Sequence, residues 1–173
     1  MNMKGLLTLI AAAGAAILPT ADVFAADADC DRDCLKQTAD RFFDAMAAHS
    51  PAGLPLADAV RSTENGKQLK LGEGLWKTAG KATYRMDALD PQSGGIGTAA
   101  VVMENGQPVI MMLRLKVANR QISEAETILV RKGESGSLWA PEKMTAPSVH
   151  FTRTIRPAER NSRFELLAAG DAY

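Results

Sequence analysis

Cysteine and histidine are scarce in this chain: among 173 residues there are two of each, Cys30, Cys34, His49 and His150. A tetrahedral zinc site would have to recruit all four. The cysteines have three residues between them, whereas the oxidoreductase motif has two. Charge of one sign is also missing. Twenty Lys and Arg balance twenty Asp and Glu, and no basic patch is interleaved with aromatics, so nucleic acid is not an expected partner. There is no glycine-rich phosphate loop and no Gly-x-Ser-x-Gly elbow, so no cofactor and no metal are expected. After residue 18 no apolar run is long enough to span a bilayer.

What is present begins with a leader. Lys4 precedes the apolar run Gly5–Leu18, Pro19 ends it, and Val23-Phe24-Ala25 supplies the small residues that a signal peptidase needs. Residues 1–25 read as a cleavable secretory signal, with the mature chain starting near Ala26 and no membrane attachment after cleavage. Ala28-Asp29 before Cys30 is not a lipobox. A periplasmic or secreted location follows, and in an oxidising compartment Cys30 and Cys34 are expected to form a disulfide. Residues four apart inside a regular helix are too far apart for an easy bridge, so the helix should start near Asp33 with Cys30 folded back over its first turn. Roughly 148 residues remain, the size of one domain with a real core.

From Asp33 to His49, Leu35, Ala39, Phe42, Phe43, Met46 and Ala47 recur at helical spacing. Ser50-Pro51 stops that helix. Strands are expected at 59–64, 68–71, 82–89, 96–104, 108–117 and 121–131, with turns at Asn65-Gly66, Asn105-Gly106 and Asn119-Arg120. These turns set a register: Val102 opposite Val109, Ala100 opposite Met111, Val117 opposite Ile122, Leu115 opposite Glu124 and Leu113 opposite Glu126. The result is an α+β domain over 26–132, a curved antiparallel sheet wrapped on the N-terminal helix with a pocket on its concave face. The segment 133–173, with Pro141, Pro147 and Pro157, does not continue the sheet. It ends in a helical pattern in which Leu166, Asp171 and Tyr173 match Leu35, Asp40 and Phe42. This is either a short docking helix or the start of a second, tandem copy.

Strict alternation along Ile122–Val130 places Ile122, Glu124, Glu126, Ile128 and Val130 on one face, the apolar one. Two carboxylates there cost free energy unless they are paired, hydrated or used. Either they pair with Arg114 or Arg85, or burial raises a carboxyl pKa and makes it a general base. Tyr84 could donate a hydrogen bond to a developing oxyanion or simply pack in the core. Trp76, Met111, Leu113, Phe43 and Arg61 complete the expected pocket.

The element order over about Cys34 to Lys132 resembles the cone-shaped nuclear-transport-factor-2-like superfamily, which includes SnoaL-like cyclases and ketosteroid isomerases. Val60–Gly66, Gly74-Leu-Trp76, Leu113–Val117 and Ile122–Glu126 carry the resemblance, and they also resemble a secreted subgroup from fungi and bacteria. The resemblance implies that the pocket is cone-shaped. In such isomerases and lyases a carboxylate in an apolar cone acts as base, which the resemblance implies for Glu126 or Glu124. Two functions are therefore expected in competition. One is a cofactorless lyase, isomerase or cyclase acting on a small apolar or aromatic molecule. The other is a non-catalytic secreted module that binds such a ligand, or forms a homodimer or tandem pair. A buried Glu without a basic partner favours the enzyme, and acids salt-bridged to Arg85 or Arg114 favour the module.

Overall fold

The structure is a computed structural model that describes residues 30–134 and 140–172. The expected leader over 1–25 and Tyr173 lie outside the described residues. Helix α1 spans Arg32–Ala47. Asp31 caps it, its side chain accepting a hydrogen bond from the Cys34 amide at 2.8 Å. Cys30 precedes the helix and is bonded to Cys34, with Cα atoms 5.2 Å apart. The fold-back over the first turn is thus as expected, and the bridge ties the start of the domain to α1.

Six strands follow: β1 Leu56–Glu64, β2 Lys67–Gln68, β3 Ala79–Asp90, β4 Gly95–Glu104, β5 Gln107–Ala118 and β6 Gln121–Val130. They form one curved sheet in the order β2-β1-β6-β5-β4-β3, an α+β fold. Pairings are antiparallel except β1 with β6, which run parallel, so the sheet is mixed where antiparallel pairing was expected throughout. Each two-residue turn has both central residues at positive φ, as a type I′ hairpin demands: Asn65-Gly66, Asn105-Gly106 and Asn119-Arg120. Between β2 and β3 a short 3₁₀ turn, Gly74–Lys77, delivers Leu75 and Trp76 into the core. Gly74 has φ +61°, and a Cβ there would lie 2.4 Å from a Glu64 carboxylate oxygen, so a side chain would be strained and would displace that carboxylate. That carboxylate accepts from the Leu75 amide at 2.8 Å and anchors the turn.

The core lies between α1 and the inner face of the sheet. Leu35, Ala39, Phe42, Phe43 and Met46 of the helix share one buried cluster with Ala100, Val102, Val109, Met111, Leu113, Leu115 and Val117. The register of β4 with β5 is the expected one, Val102 facing Val109 and Ala100 facing Met111, and Val117 faces Ile122. After that pair the expectation fails. Glu124 lies opposite Lys116, Ala125 opposite Leu115, Glu126 opposite Arg114 and Thr127 opposite Leu113.

Ser123 is one residue too many, a β-bulge whose hydroxyl donates to the Lys116 carbonyl at 3.3 Å. Because side chains alternate with a period of two, one extra residue turns every later side chain over. Ala125, Thr127 and Leu129 therefore face inward and are buried, while Glu124, Glu126 and Ile128 face outward. The energetic reason is plain: the unbulged register would bury two carboxylates in the core, and the bulge replaces them with Ala125 and Thr127, whose hydroxyl donates to the Thr63 carbonyl at 3.1 Å.

Beyond the sheet the chain runs through a short helix α2, Val149–Thr152, to α3, Arg163–Asp171, which begins with a capping box between Ser162 and Glu165. Pro141 is buried. Arg163 reaches back to Asp90 at the β3–β4 hairpin, at 2.8 Å.

Candidate functional site

The outer face of the sheet carries a groove of about 610 Å³. Register explains it. One cross-strand row runs Met86, Ala99, Met112, Ile128, and the next runs Ala88, Gly97, Arg114, Glu126. On β4 both positions are small, so the floor drops between the taller walls of Met86 on β3 and Met112 on β5. A Cβ added at Gly97 would meet nothing within 4 Å, as expected of a hollow. Phe151 of α2 lies over the same groove while remaining largely exposed. Met112 and Ile128 are half exposed, so the face is an uncovered apolar surface.

One end of the groove is charged. Arg114 Nη1 donates to Glu124 Oε2 at 2.7 Å and stands 3.8 Å from Glu126 Oε2. Arg61 Nη2 reaches the same Glu124 oxygen at 3.3 Å. The hydrogen bonds from Arg114 first, and then from Arg61, hold the Glu124 carboxyl below the usual carboxylate range. Burial of these acids with a raised pKa, the arrangement expected of a general base, is therefore not the one Glu124 has. Both acids were expected on the apolar inner face; the bulge at Ser123 places them on the outer face beside arginines.

The other expected site residues do not converge on the acids. Trp76 is buried edge-on to Phe42, centroids 5.1 Å apart, and lies in the core. Phe43 and Met111 are likewise buried, and Leu113, whose side chain is buried, merely borders the groove. Arg61 is exposed on β1. Tyr84 shares an outer row with Val101, Ile110 and Val130 and stands three strands from Glu126, about 14 Å across the sheet.

Arg85, considered as a partner for the acids, is engaged elsewhere. Its Nη1 donates to Asp40 at 2.7 Å, its Nε to Asp87 at 2.9 Å, and its guanidinium sits 4.5 Å above the Phe43 ring. Thr98 donates to Asp87 at 2.8 Å, so this cluster clasps α1 to β3 and β4. The groove residues Met86, Ala99, Met112, Ile128 and Phe151 were not anticipated. The alternation of small residues Gly95, Gly97 and Ala99 on one strand parity was the available signal.

The segment over the groove is tied down beyond Phe151 by the Asp90–Arg163 pair. The hydrogen bond from Arg163, reinforced by one from Ser93, lowers the Asp90 pKa to about 2. A folded pKa below that of the free chain means a contribution present above the ordinary carboxylate range and lost as pH falls through about 2. The carboxyl ¹³C resonance of Asp90 should titrate near 2, and the Arg163→Ala variant should move that midpoint up towards 3.8, the ordinary value. An unchanged midpoint would mean that the pair does not hold the tail.

No protein-family model matches the chain, and no curated protein sequence matches it. Solved structures similar to it include a de novo designed protein with a curved β-sheet, at 15% identity and TM-score 0.49, covering 61% of this chain and 93% of that one. The BvnE pinacolase from Penicillium brevicompactum is similar at 11% identity and TM-score 0.45, covering 57% and 84%. An NTF-2 like protein of unknown function from Burkholderia xenovorans is similar at 13% identity and TM-score 0.42, covering 60% and 88%. The likeness is one of fold; at these identities no residue role passes from them to this chain.

Proposed function

We propose that this chain is an exported, non-catalytic module that binds a small apolar molecule in the outer-face groove. The observation that carries the reading is the groove itself, an apolar floor with small residues on β4 and a cluster of Arg114, Glu124 and Glu126 at one end. Pockets of several hundred cubic ångströms with apolar walls and few polar groups are the usual form of small-molecule sites. Methionine walls adapt to ligand shape and favour aromatic contacts. Pairing of Glu124 and Glu126 with Arg114 supports binding over proton transfer, since a general base at neutral pH needs a raised pKa and Glu124 has a lowered one. The Cys30–Cys34 disulfide fits an oxidising location.

A second copy of the chain is the other occupant to consider, because Met112 and Ile128 are half exposed on a sheet face. The start of a tandem copy also has support. The N-caps Asp31 and Ser162 stand in the same offset as the matched pairs Leu35 with Leu166 and Asp40 with Asp171.

Gly97→Val separates these readings from an incidental hollow. The position is a strand residue with open space above it, so valine should fill the groove without strain. The neutral fluorescent probe N-phenyl-1-naphthylamine should bind the native protein, and the variant should weaken it by roughly tenfold or more, equal to about 1.4 kcal/mol. The melting temperature should hold or rise. Probe binding that is unchanged in the variant would sink the groove as the site, and a probe-sensitive monomer–dimer equilibrium in sedimentation would favour the second copy.

A further inference from the structure

We infer that the groove selects apolar molecules carrying a cationic amine, and that Glu126 is the residue that makes the selection. This rests on the groove being a binding site, as proposed above, and adds the chemical class of its ligand.

Two guanidinium groups are distributed unevenly over two carboxylates. Glu124 Oε2 receives both, Arg114 at 2.7 Å and Arg61 at 3.3 Å. Glu126 has only the flank of Arg114, at 3.8 Å, beyond hydrogen-bond range. Of these two acids, Glu126 alone lines the groove. Its side chain is 43% exposed, so its oxygens are open to a ligand lying along the groove. Arg114 also lines the groove, but its Nη1 is already committed to Glu124. An anionic ligand could use the remaining guanidinium N–H groups only against repulsion from the two carboxylates beside it. A cationic ligand would instead meet a carboxylate with unused acceptor capacity.

Geometry fits the same class. Along the row Ala88, Gly97, Arg114, Glu126, which continues to Thr63 on β1, Glu126 is the last residue to line the groove, directly beside the apolar row of Met112 and Ile128. A flat apolar body lying between Met86 and Met112 under Phe151 would carry its polar substituent towards this end. A charge-assisted hydrogen bond is shorter and stronger than a neutral one, so an ammonium group gains more here than a hydroxyl of equal size.

The test uses three probes of one shape at pH 7: 1-naphthylmethylamine as the cation, 1-naphthylmethanol as the neutral isostere and 1-naphthoate as the anion. Each displaces N-phenyl-1-naphthylamine from the full chain and from Glu126→Gln. The native protein should bind the amine about tenfold more tightly than the alcohol, the size of a partly solvated charged hydrogen bond, and the naphthoate most weakly. In Glu126→Gln the amine and the alcohol should bind within about twofold of each other. Equal binding of amine and alcohol by the native protein, tighter binding of naphthoate, or a preference that survives Glu126→Gln would each overturn the inference while leaving the groove intact. Failure of the alcohol to bind, or binding indifferent to Gly97→Val, would overturn the groove and this inference together.

Discussion

Ala125→Glu should unfold the domain or destabilise it by at least about 4 kcal/mol, while Glu126→Leu, one residue away, should shift stability by no more than about 1 kcal/mol. Ala125 is 3% exposed and faces Leu115 across the ladder. With Phe42, Trp76 and Thr127 it lines a crevice of about 10 Å³, too small for a carboxylate and its water. Lys70 also lines that crevice, but it shares it with Glu64 and Glu73. Glu126 faces outward on the same strand, and leucine in its place would add to the apolar surface beside Met112 and Ile128. Urea denaturation followed by circular dichroism decides it. The register without the bulge makes the opposite forecast, with Ala125→Glu tolerated on the surface and Glu126→Leu strongly stabilising in the core.

That contrast marks where the sequence stops being legible. Helical spacing locates α1 and its buried face, because Leu35, Ala39, Phe42 and Met46 obey a local periodicity that nothing downstream alters. Hairpins at Asn65-Gly66, Asn105-Gly106 and Asn119-Arg120 are also local, since positive φ at two successive residues is a property of the turn itself. The disulfide and the helix start follow from the geometry of two nearby residues. The bulge at Ser123 is not local. It answers to the coil of the sheet around α1 and to the neighbour β1, which pairs with β6 in parallel and shifts its own register between Leu56 and Arg61. No alternation in Ile122–Val130 reports it. One unanticipated residue moved both acids from the inner to the outer face and turned a suspected internal base into half of an arginine-paired rim. The groove was hidden for the same reason, since Ile128 was assigned to the wrong side of the sheet. Pairing of Arg85 with Asp40 and Asp87 joins residues 45 and two positions apart, and only the packing of α1 on β3 brings the distant pair together.

Phe42→Ala should cost about 4 kcal/mol, the middle of the range for a fully buried phenylalanine. Phe42 has no exposed surface and packs edge-on against Trp76 at 5.1 Å and against Phe43 at 6.5 Å. It joins α1 to the 3₁₀ turn that carries Trp76, so its loss leaves a cavity that neither the helix nor the disulfide-held first turn can collapse to fill. Domains of this size are stable by only about 5–15 kcal/mol, so the loss should be visible as a large drop in the urea midpoint at an unchanged slope. Phe43→Ala provides the internal comparison. Its ring is 7% exposed and lies beneath the Arg85 guanidinium, which keeps its aspartate partners when the ring is removed. The cost there should be smaller, about 3 kcal/mol. A midpoint that moves more for Phe43→Ala than for Phe42→Ala would show that the buried face of α1 is rotated from the one described, with Phe43 rather than Phe42 at the centre of the core.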